Sequence, residues 1–299
     1  MRPHNITTIH KKIFQWYAKN ARSLPWRDGR NINNPYRILL SEIMLQQTQV
    51  NRVILFYKAW LKKFPTFSAL AKAKQSDVLR QWSGLGYNNR AIRFHQIAKI
   101  VVEQHNNTLP KTAEELHKLP GIGKYTTHAI LCFAFEQQVP VVDVNIRRVL
   151  TRLLWKTHSY SEMKLEKEIW KIAEQILPNY SASIWNQALM DIGATICTAR
   201  MPKCAECFLQ KNCASAFSIS SEKKSLKKKE PSYKNIPRRI YRGRVLKILH
   251  TKKSTPKKIA EQLWSEATVE DIQWIEEVLQ KLQNDGLIEK RKNVFSIRE

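Results

Sequence analysis

Hydrophobic residues recur at helical spacing along most of this chain. A first amphipathic stretch covers residues 5–20. One face of it carries Ile6, Ile9, Ile13, Phe14 and Tyr17. From residue 36 to about residue 209, similar stretches alternate with short breaks that contain proline or glycine, without a convincing strand-like alternation of apolar and polar residues. The pattern predicts a mostly α fold with about ten helices in this region.

The composition changes after residue 217. Residues 218–239 hold eight basic and two acidic residues with little apolar content, which is typical of a linker. Residues 240–299 regain the pattern of a folded unit, with helices near 241–250 and 256–264. A third helix is expected after a capping-box sequence that begins at Thr268, followed by two short strands. This is the order of a winged helix. We therefore expect a domain over 1–217, a basic linker over 218–239 and a winged-helix-like domain over 240–299.

The charge balance points to a polyanionic partner. The 299 residues include 51 Lys and Arg against 25 Asp and Glu, a formal net charge of +26, and 43% hydrophobic residues supply a core. Nucleic acid is the first candidate, because each Lys or Arg that neutralises a phosphate releases a counterion; a generically basic protein is the alternative. No apolar run reaches the about 18–20 residues that cross a bilayer, and the N-terminus lacks a signal-peptide core. We expect an intracellular protein that binds nucleic acid and no membrane.

A tight turn is predicted in the sequence LPGIGKYTTHAI, residues 119–130. Pro120 ends one helix, and Gly121 and Gly123 favour a turn before the next. Backbone N–H groups at such a helix start suit a phosphate. An ordinary connection between two helices explains the turn equally well.

Asp143 stands where a helix is expected to begin after the loop QQVPVV. An isolated aspartate in this position is an N-cap. Capping is compatible with a catalytic role for Asp143, because N–H groups and the helix dipole are expected to keep the carboxylate ionised and to lower its pKa. A fixed anion of this kind also stabilises a positive charge that develops beside it.

Several segments together resemble one enzyme superfamily. LLSEIMLQQTQVNRV (39–53), the Gly-Ile-Gly turn and Asp143 occur in the order found in helix-hairpin-helix (HhH-GPD) DNA glycosylases. The first segment is similar to that of the A/G-specific, MutY-like adenine glycosylases. The resemblance runs from about residue 8 to residue 215 and implies a two-subdomain helical fold. It also implies a monomeric base excision repair enzyme that binds double-stranded DNA and hydrolyses the N-glycosidic bond of adenine opposite guanine or 8-oxoguanine. It places Asp143 where a carboxylate stabilises the oxocarbenium-like sugar that forms as this bond breaks.

The resemblance assigns roles to particular residues. It places Glu42 at the position of the general acid, where apolar neighbours would keep the carboxyl partly protonated. A surface glutamate paired with Lys or Arg is the alternative. Gln46 and Gln47 are implied to fill the gap left by a flipped base. The alternative is that they are ordinary polar residues on the exposed side of a helix. The other residues expected to contact DNA are Tyr87, Asn88, Gly121, Gly123, Lys124 and Asn145.

Tyr125 occupies the position at which relatives that cleave the strand carry a Schiff-base lysine. Tyrosine forms no Schiff base, so the resemblance implies base release without strong lyase activity. Lys124 is no substitute, because one residue along a helix rotates by about 100°. A tyrosine at this position is also compatible with the thymine glycosylases of this superfamily. The alternative is that Tyr125 is an ordinary aromatic residue of the core or of the pocket rim.

Four of the 5 cysteines are clustered in sequence, with the spacing C-x6-C-x2-C-x5-C. They are Cys197, Cys204, Cys207 and Cys213. Zinc sites usually join two separated C-x2-C pairs. The resemblance implies instead a [4Fe–4S] cluster held by the four thiolates. Cys132 lies in an apolar helix and is expected to be buried.

Two departures from the family pattern concern recognition of the lesion. Asn88 stands where adenine glycosylases that read 8-oxoguanine usually carry a second tyrosine. The C-terminal unit of about 60 residues replaces a larger Nudix-like domain. Excision of thymine or uracil from G:T or G:U mismatches is therefore the second candidate function. A DNA-binding regulator built on the glycosylase fold is the third.

Overall fold

The computed structural model describes residues 3–155, 163–218 and 230–299. The helices before residue 200 are α1 Pro3–Asn20, α2 Pro35–Leu45, α3 Val50–Lys63, α4 Phe67–Ala71, α5 Gln75–Trp82, α6 Asn89–Gln104, α7 Ala113–Lys118, α8 Lys124–Phe135, α9 Val144–Leu154, α10 Met163–Gln175 and α11 Ala182–Thr195. No strand occurs among the described residues before Ser232, so the mostly α prediction is confirmed. In these ranges, no helix combines the length and the apolar character needed to span a bilayer.

The chain forms two compact units that each combine separate segments. The first unit consists of Met1–Leu39, Pro110–Lys118 and Ile122–Ser225. The second unit consists of Leu40–Leu109, Leu119–Gly121 and Leu226–Glu299.

The first unit has its core among α1, α9, α10 and α11. Ile9 and Ile13 of α1 are fully buried, as their helical spacing predicted. They share this core with Ile146, Val149, Leu150, Ile169, Trp185 and Leu189. α9 packs along α11, and this packing fixes the position of the first turn of α9.

The second unit contains an aromatic cluster below the connection between α5 and α6. The Trp60 ring lies 5.4 Å from the Trp82 ring and 5.8 Å from the Phe94 ring, measured between centroids. All three side chains are fully buried. The indole N–H of Trp82 donates to the carbonyl of Gly86 at 3.0 Å. The cluster therefore holds the loop that carries Tyr87.

The C-terminal part of the second unit has the predicted order of elements. They are α12 Arg238–Thr251, α13 Pro256–Leu263, α14 Val269–Asn284, β3 Ile288–Arg291 and β4 Val294–Ile297. Thr268 and Asp271 form the expected capping box at the start of α14. β3 and β4 pair antiparallel, and Ser254 bridges to Phe295 beside them.

Residues 230–237, assigned to the linker from their composition, contain a short hairpin. Its strands are β1 Ser232–Tyr233 and β2 Ile236–Pro237. The Tyr233 ring stacks on Trp274 of α14 at 5.3 Å. The sequence analysis missed this hairpin because its main contact is distant in sequence. Residues 219–229 of the linker lie outside the described residues, and the division into three domains remains a prediction.

Candidate active site

Asp143 caps the N-terminus of α9, as its position in the sequence predicted. Its Oδ1 accepts hydrogen bonds from the backbone N–H of Asn145 at 2.9 Å and of Ile146 at 2.6 Å. Its Oδ2 accepts from Nδ2 of the Asn145 side chain at 2.8 Å. Both carboxylate oxygens are thus held in place at the positive end of the α9 dipole.

The pKa of Asp143 is raised above its ordinary value of 3.8, so the expected lowering is wrong. Burial of the carboxyl raises the pKa and outweighs three opposing influences: the hydrogen bond from Ile146, those from Asn145 and the charge of Arg148. Poorly solvated surroundings also strengthen the attraction between a carboxylate and a nearby cation. The buried cap is therefore suited to stabilising a positive charge.

Asn145 is itself positioned by Arg148 and by Gly193 of α11. Nη2 of Arg148 donates to Oδ1 of Asn145 at 2.8 Å and to the Gly193 carbonyl at 2.5 Å. A Cβ atom on Gly193 would lie only 2.6 Å from Cβ of Asn145, so the close approach of α9 and α11 requires glycine here. The roles of Arg148 and Gly193 could not be predicted from the sequence, because they depend on how the two helices pack.

Glu42 lies in α2 with 7% of its surface exposed, which rules out the alternative of a surface glutamate. The neighbouring Leu39, Leu40 and Met44 are fully buried. An apolar environment of this kind suits a carboxyl group that donates a proton.

The predicted glycine turn joins α7 to α8. Gly121 has a φ of +81°, which glycine adopts with little strain, whereas Gly123 is the extended N-cap of α8 with a φ of −99°. A Cβ on Gly121 would lie 2.8 Å from Cδ of Arg93, while a Cβ on Gly123 would meet nothing within 4 Å. The positive φ therefore explains why residue 121 is glycine. The open space around Gly123 leaves the start of α8 accessible to an anion.

The two residues that follow this turn have different surroundings. Lys124 is exposed, and its Nζ lies 4.1 Å from the centroid of the Trp170 ring, a cation–π contact within the first unit. Tyr125 is half-buried in the first turn of α8. The amine at position 124 is thus held against an aromatic ring.

Four of the residues expected to contact DNA line one groove of the second unit, with a volume of about 1390 Å³. They are Gln46, Gln47, Tyr87 and Asn88. Gln46 and Gln47 follow the end of α2 and do not lie within a helix. Gln47 and Tyr87 are exposed and have φ values of +55° and +49°. Left-handed backbone at residues other than glycine is strained and is concentrated at functional sites.

Arg90 joins the two loops that carry these residues, and the sequence analysis did not identify it. Its Nη1 donates to the Gln46 carbonyl at 2.5 Å. Its Nη2 donates to the Gly86 carbonyl at 2.9 Å and to Oγ1 of Thr48 at 3.1 Å. An arginine within a largely buried helix was the available signal, but its partners Gln46 and Thr48 lie 44 and 42 residues away and cannot be identified from a helical pattern.

The four clustered cysteines lie in the segment after α11, and α9 holds that segment. Nε of Arg148 donates to the Cys197 carbonyl at 2.7 Å. Nη1 of Arg152 donates to the Thr198 carbonyl at 2.7 Å, and the Cys213 thiol donates to the Arg152 carbonyl at 3.2 Å. One helix therefore supports both the cysteine segment and Asp143.

The clustered thiols lie close enough to influence one another. Burial raises the pKa of Cys213, and the neighbouring Cys197, Cys207 and Cys204 raise it further. No group of three or more His, Cys, Asp or Glu side chains is arranged to hold a metal ion in the described parts of the chain. Cys132 is fully buried, as predicted, and burial raises its pKa to about 12.

Sequence comparisons relate the chain to DNA repair enzymes. The model of the HhH-GPD superfamily base excision DNA repair protein matches residues 40–175. An adenine DNA glycosylase of Mycobacterium tuberculosis is 37% identical over 247 residues, which are 83% of this chain and 79% of that protein. The adenine DNA glycosylase of Mycolicibacterium smegmatis is 41% identical over 66% of both chains. That of Homo sapiens is 37% identical over 73% of this chain and 41% of its own length.

Structural comparisons give the same fold. A thermostable thymine-DNA glycosylase superposes with a TM-score of 0.63 and 29% identity, covering 72% of this chain and 98% of that one. A trapped endonuclease III–DNA covalent intermediate superposes with a TM-score of 0.62 and 21% identity, over 73% and 98% of the two chains. At the latter identity the likeness shows the fold alone.

Proposed function

The chain belongs to the HhH-GPD superfamily of base excision DNA repair proteins, and we propose that it is an adenine DNA glycosylase. Its relatives at 37% and 41% identity are adenine DNA glycosylases. The matched region, residues 40–175, includes Glu42, Tyr125 and Asp143. The observation that carries the proposal is the buried, hydrogen-bonded carboxylate of Asp143 in this matched region.

Glu42 is the proton donor in this proposal. Adenine leaves poorly as an anion, and protonation of the ring by a carboxylic acid makes it a better leaving group. The N-glycosidic bond then breaks with its electron pair moving to the base. The burial of Glu42, with 7% of its surface exposed, supports this role.

Asp143 stabilises the sugar cation that remains. Its oxygens are fixed by Asn145 and Ile146 and need not reorganise as the positive charge develops. A water molecule then bonds through its oxygen to the anomeric carbon and releases a proton to solvent. The products are free adenine and an abasic site in the DNA.

Tyr125 and Lys124 make strand cleavage unfavourable. A lyase reaction through a Schiff base needs a free amine beside the sugar, and the phenol of Tyr125 cannot form one. The Lys124 amine is held 4.1 Å from the Trp170 ring centroid. We therefore assign the chain to hydrolysis of the N-glycosidic bond without strong lyase activity.

The substrate is a duplex in which adenine lies opposite guanine or 8-oxoguanine. The accessible N–H groups beside Gly123 suit a backbone phosphate. Gln46, Gln47, Tyr87 and Asn88 share one groove, as expected of residues that occupy the space left by a flipped nucleotide. Unstacking the base costs a few kcal/mol, which these contacts offset.

The four clustered cysteines bind a [4Fe–4S] cluster in this proposal. Cys197, Cys204 and Cys207 lie close enough to Cys213 to raise its pKa, and α9 binds the Cys197 carbonyl and the Cys213 thiol, which fits such a ligand set. Cys197, Cys204, Cys207 and Cys213 would hold the cluster through their thiolates, and this ligation would cross-link the segment after α11. Iron and acid-labile sulfide should be present in the purified protein and should be lost in Cys204→Ser, but not in the matched Cys132→Ser. Stoichiometric zinc without sulfide would contradict this assignment.

One assay with four duplexes tests the proposed function. The target base would be adenine opposite 8-oxoguanine, adenine opposite guanine, thymine opposite guanine, or uracil opposite guanine. Release of adenine from the first two, with the others at background, is the expected result. The likeness to a thymine-DNA glycosylase is the observation that favours the second candidate, and release of thymine or uracil alone would establish it. If no base is released from any of the four duplexes, the result would favour the third candidate, a DNA-binding regulator.

A further inference from the structure

Helix α12 carries positive charge where helices usually avoid it. Its first five residues include Arg238, Arg239 and Arg242, and its first turn contains no acidic residue. The helix dipole opposes cations at this end. The charges therefore indicate a partner outside the helix.

Carboxylates of the chain pair with all three of these arginines, and Arg238 pairs with Glu277 at 2.9 Å. Arg242 pairs with Asp285 at 2.5 Å, and Arg239 pairs with Glu230. Arg244 and Lys247, farther along α12, are exposed and form no ion pair with a carboxylate in the described parts of the chain. These two charges remain available to a ligand.

Arg244 and Lys247 line the same groove as Gln47 and Tyr87. Seven Arg or Lys side chains and two carboxylates line it, and both carboxylates are already paired with arginines of α12. The groove thus presents a large excess of positive charge. It is about 1390 Å³ in volume and open enough to admit an extended polyanion.

A polar contact holds the C-terminal elements beside α5 in the second unit. Nε2 of Gln75 donates to the carbonyl of Gly286 at 3.1 Å. Lys74 also lies 4.0 Å from the side chain of Glu299. Residues of α12 and of the loop with Tyr87 line one groove within this unit.

We propose that α12 binds backbone phosphates of the DNA duplex beside the mismatched pair, with Arg244 and Lys247 as the contact residues. This inference rests on the proposed function, because that function places DNA against Gln47 and Tyr87. Charge complementarity identifies the occupant as a phosphodiester backbone, and such contacts position a duplex without reading its sequence. The C-terminal region contributes affinity for the duplex and leaves the choice of base to the rest of the site.

The test measures how salt weakens binding of the full chain to a duplex with adenine opposite 8-oxoguanine. In R244A/K247A, the slope of log affinity against log salt should fall by about 1.8, because each lost phosphate contact removes about 0.9. The Kd should rise at least about tenfold at low salt, as expected for two lost phosphate contacts.

K257A/K258A is the matched control, because it removes the same charge from exposed positions of α13 outside the groove. The charge-preserving variant R244K/K247R should keep the wild-type slope. If R244A/K247A does not fold, K247A alone should lower the slope by about 0.9. Equal slopes and Kd values for the groove variant and the α13 control would overturn the proposal. Failure of the proposed function is seen separately, as absence of adenine release by the wild type.

Discussion

Nη1 of Arg90 lies 2.9 Å from the carbonyl oxygen of Met44, where it satisfies one of the last carbonyls of α2. The same atom lies 2.9 Å from the Ile43 carbonyl. Burial lowers the pKa of Arg90 to about 10, so the guanidinium stays charged at neutral pH. A buried, charged donor thus ends the helix that carries Glu42 and connects it to the loop with Tyr87.

Arg90→Ala should lower the free energy of unfolding by about 2–4 kcal/mol, because it leaves buried carbonyl groups without donors. Urea unfolding measures this change. Arg80→Ala is the control, because Arg80 is exposed and forms a surface ion pair with Asp77. The control should change stability by less than about 1 kcal/mol. Equal effects of the two substitutions would show that Arg90 has no special structural role.

The raised pKa of Asp143 predicts how excision depends on pH. Protonation removes the charge that stabilises the sugar cation, so the single-turnover rate should fall as the pH falls. Because the pKa is raised, this loss should begin at a higher pH than for an aspartate of pKa 3.8. Duplex binding in the same buffers separates lost chemistry from lost binding. A rate that stays constant until the protein unfolds would argue against this role of Asp143.

Gly121→Ala should destabilise the protein by about 1–2 kcal/mol, because alanine is strained at a positive φ. The φ of Gly121 is +81°, and a new Cβ would also press on Arg93. Gly123→Ala is the matched control, since a Cβ there meets nothing within 4 Å. Thermal unfolding of both variants measures the difference. Equal melting temperatures would mean that the turn relaxes freely around residue 121.

Gly193→Ala should lower the excision rate about 100-fold, because displacement of a positioned group by about 1 Å has effects of this size. A Cβ at Gly193 would lie 2.6 Å from Cβ of Asn145 and would push the first turn of α9 away. Gly243→Ala, in the middle of α12, meets nothing within 4 Å and should stabilise its helix by about 0.5–1 kcal/mol. Single-turnover assays compare the two variants. An unchanged rate in Gly193→Ala would show that this contact does not position Asp143.

Local signals in the sequence were sufficient for much of the fold and for the cap at Asp143. Thr268 and Asp271 are three residues apart, so their capping box can be recognised from the sequence without knowledge of tertiary contacts. The roles of Arg90 and Gly193 depend on partners that only packing brings close.

The direction of the Asp143 pKa shift also depends on tertiary packing. The hydrogen bonds that lower the pKa come from Asn145 and Ile146, which follow Asp143 in sequence. The burial that raises it is a property of the packed structure. Sequence reasoning therefore found the residue and its hydrogen bonds but gave the wrong sign for the net shift.

The most direct test of the account is single-turnover release of adenine by Asp143→Asn from a duplex with adenine opposite 8-oxoguanine. Loss of the carboxylate should abolish release, while Kd for the duplex stays within about threefold of the wild type, since the cap contacts no phosphate in this account. The raised pKa means that the folded protein binds this proton more tightly than the unfolded chain, so ionised Asp143 opposes folding at neutral pH. The variant should therefore melt no lower than the wild type, and Asp77→Asn should retain full activity. Adenine release by Asp143→Asn at the wild-type rate would contradict the account.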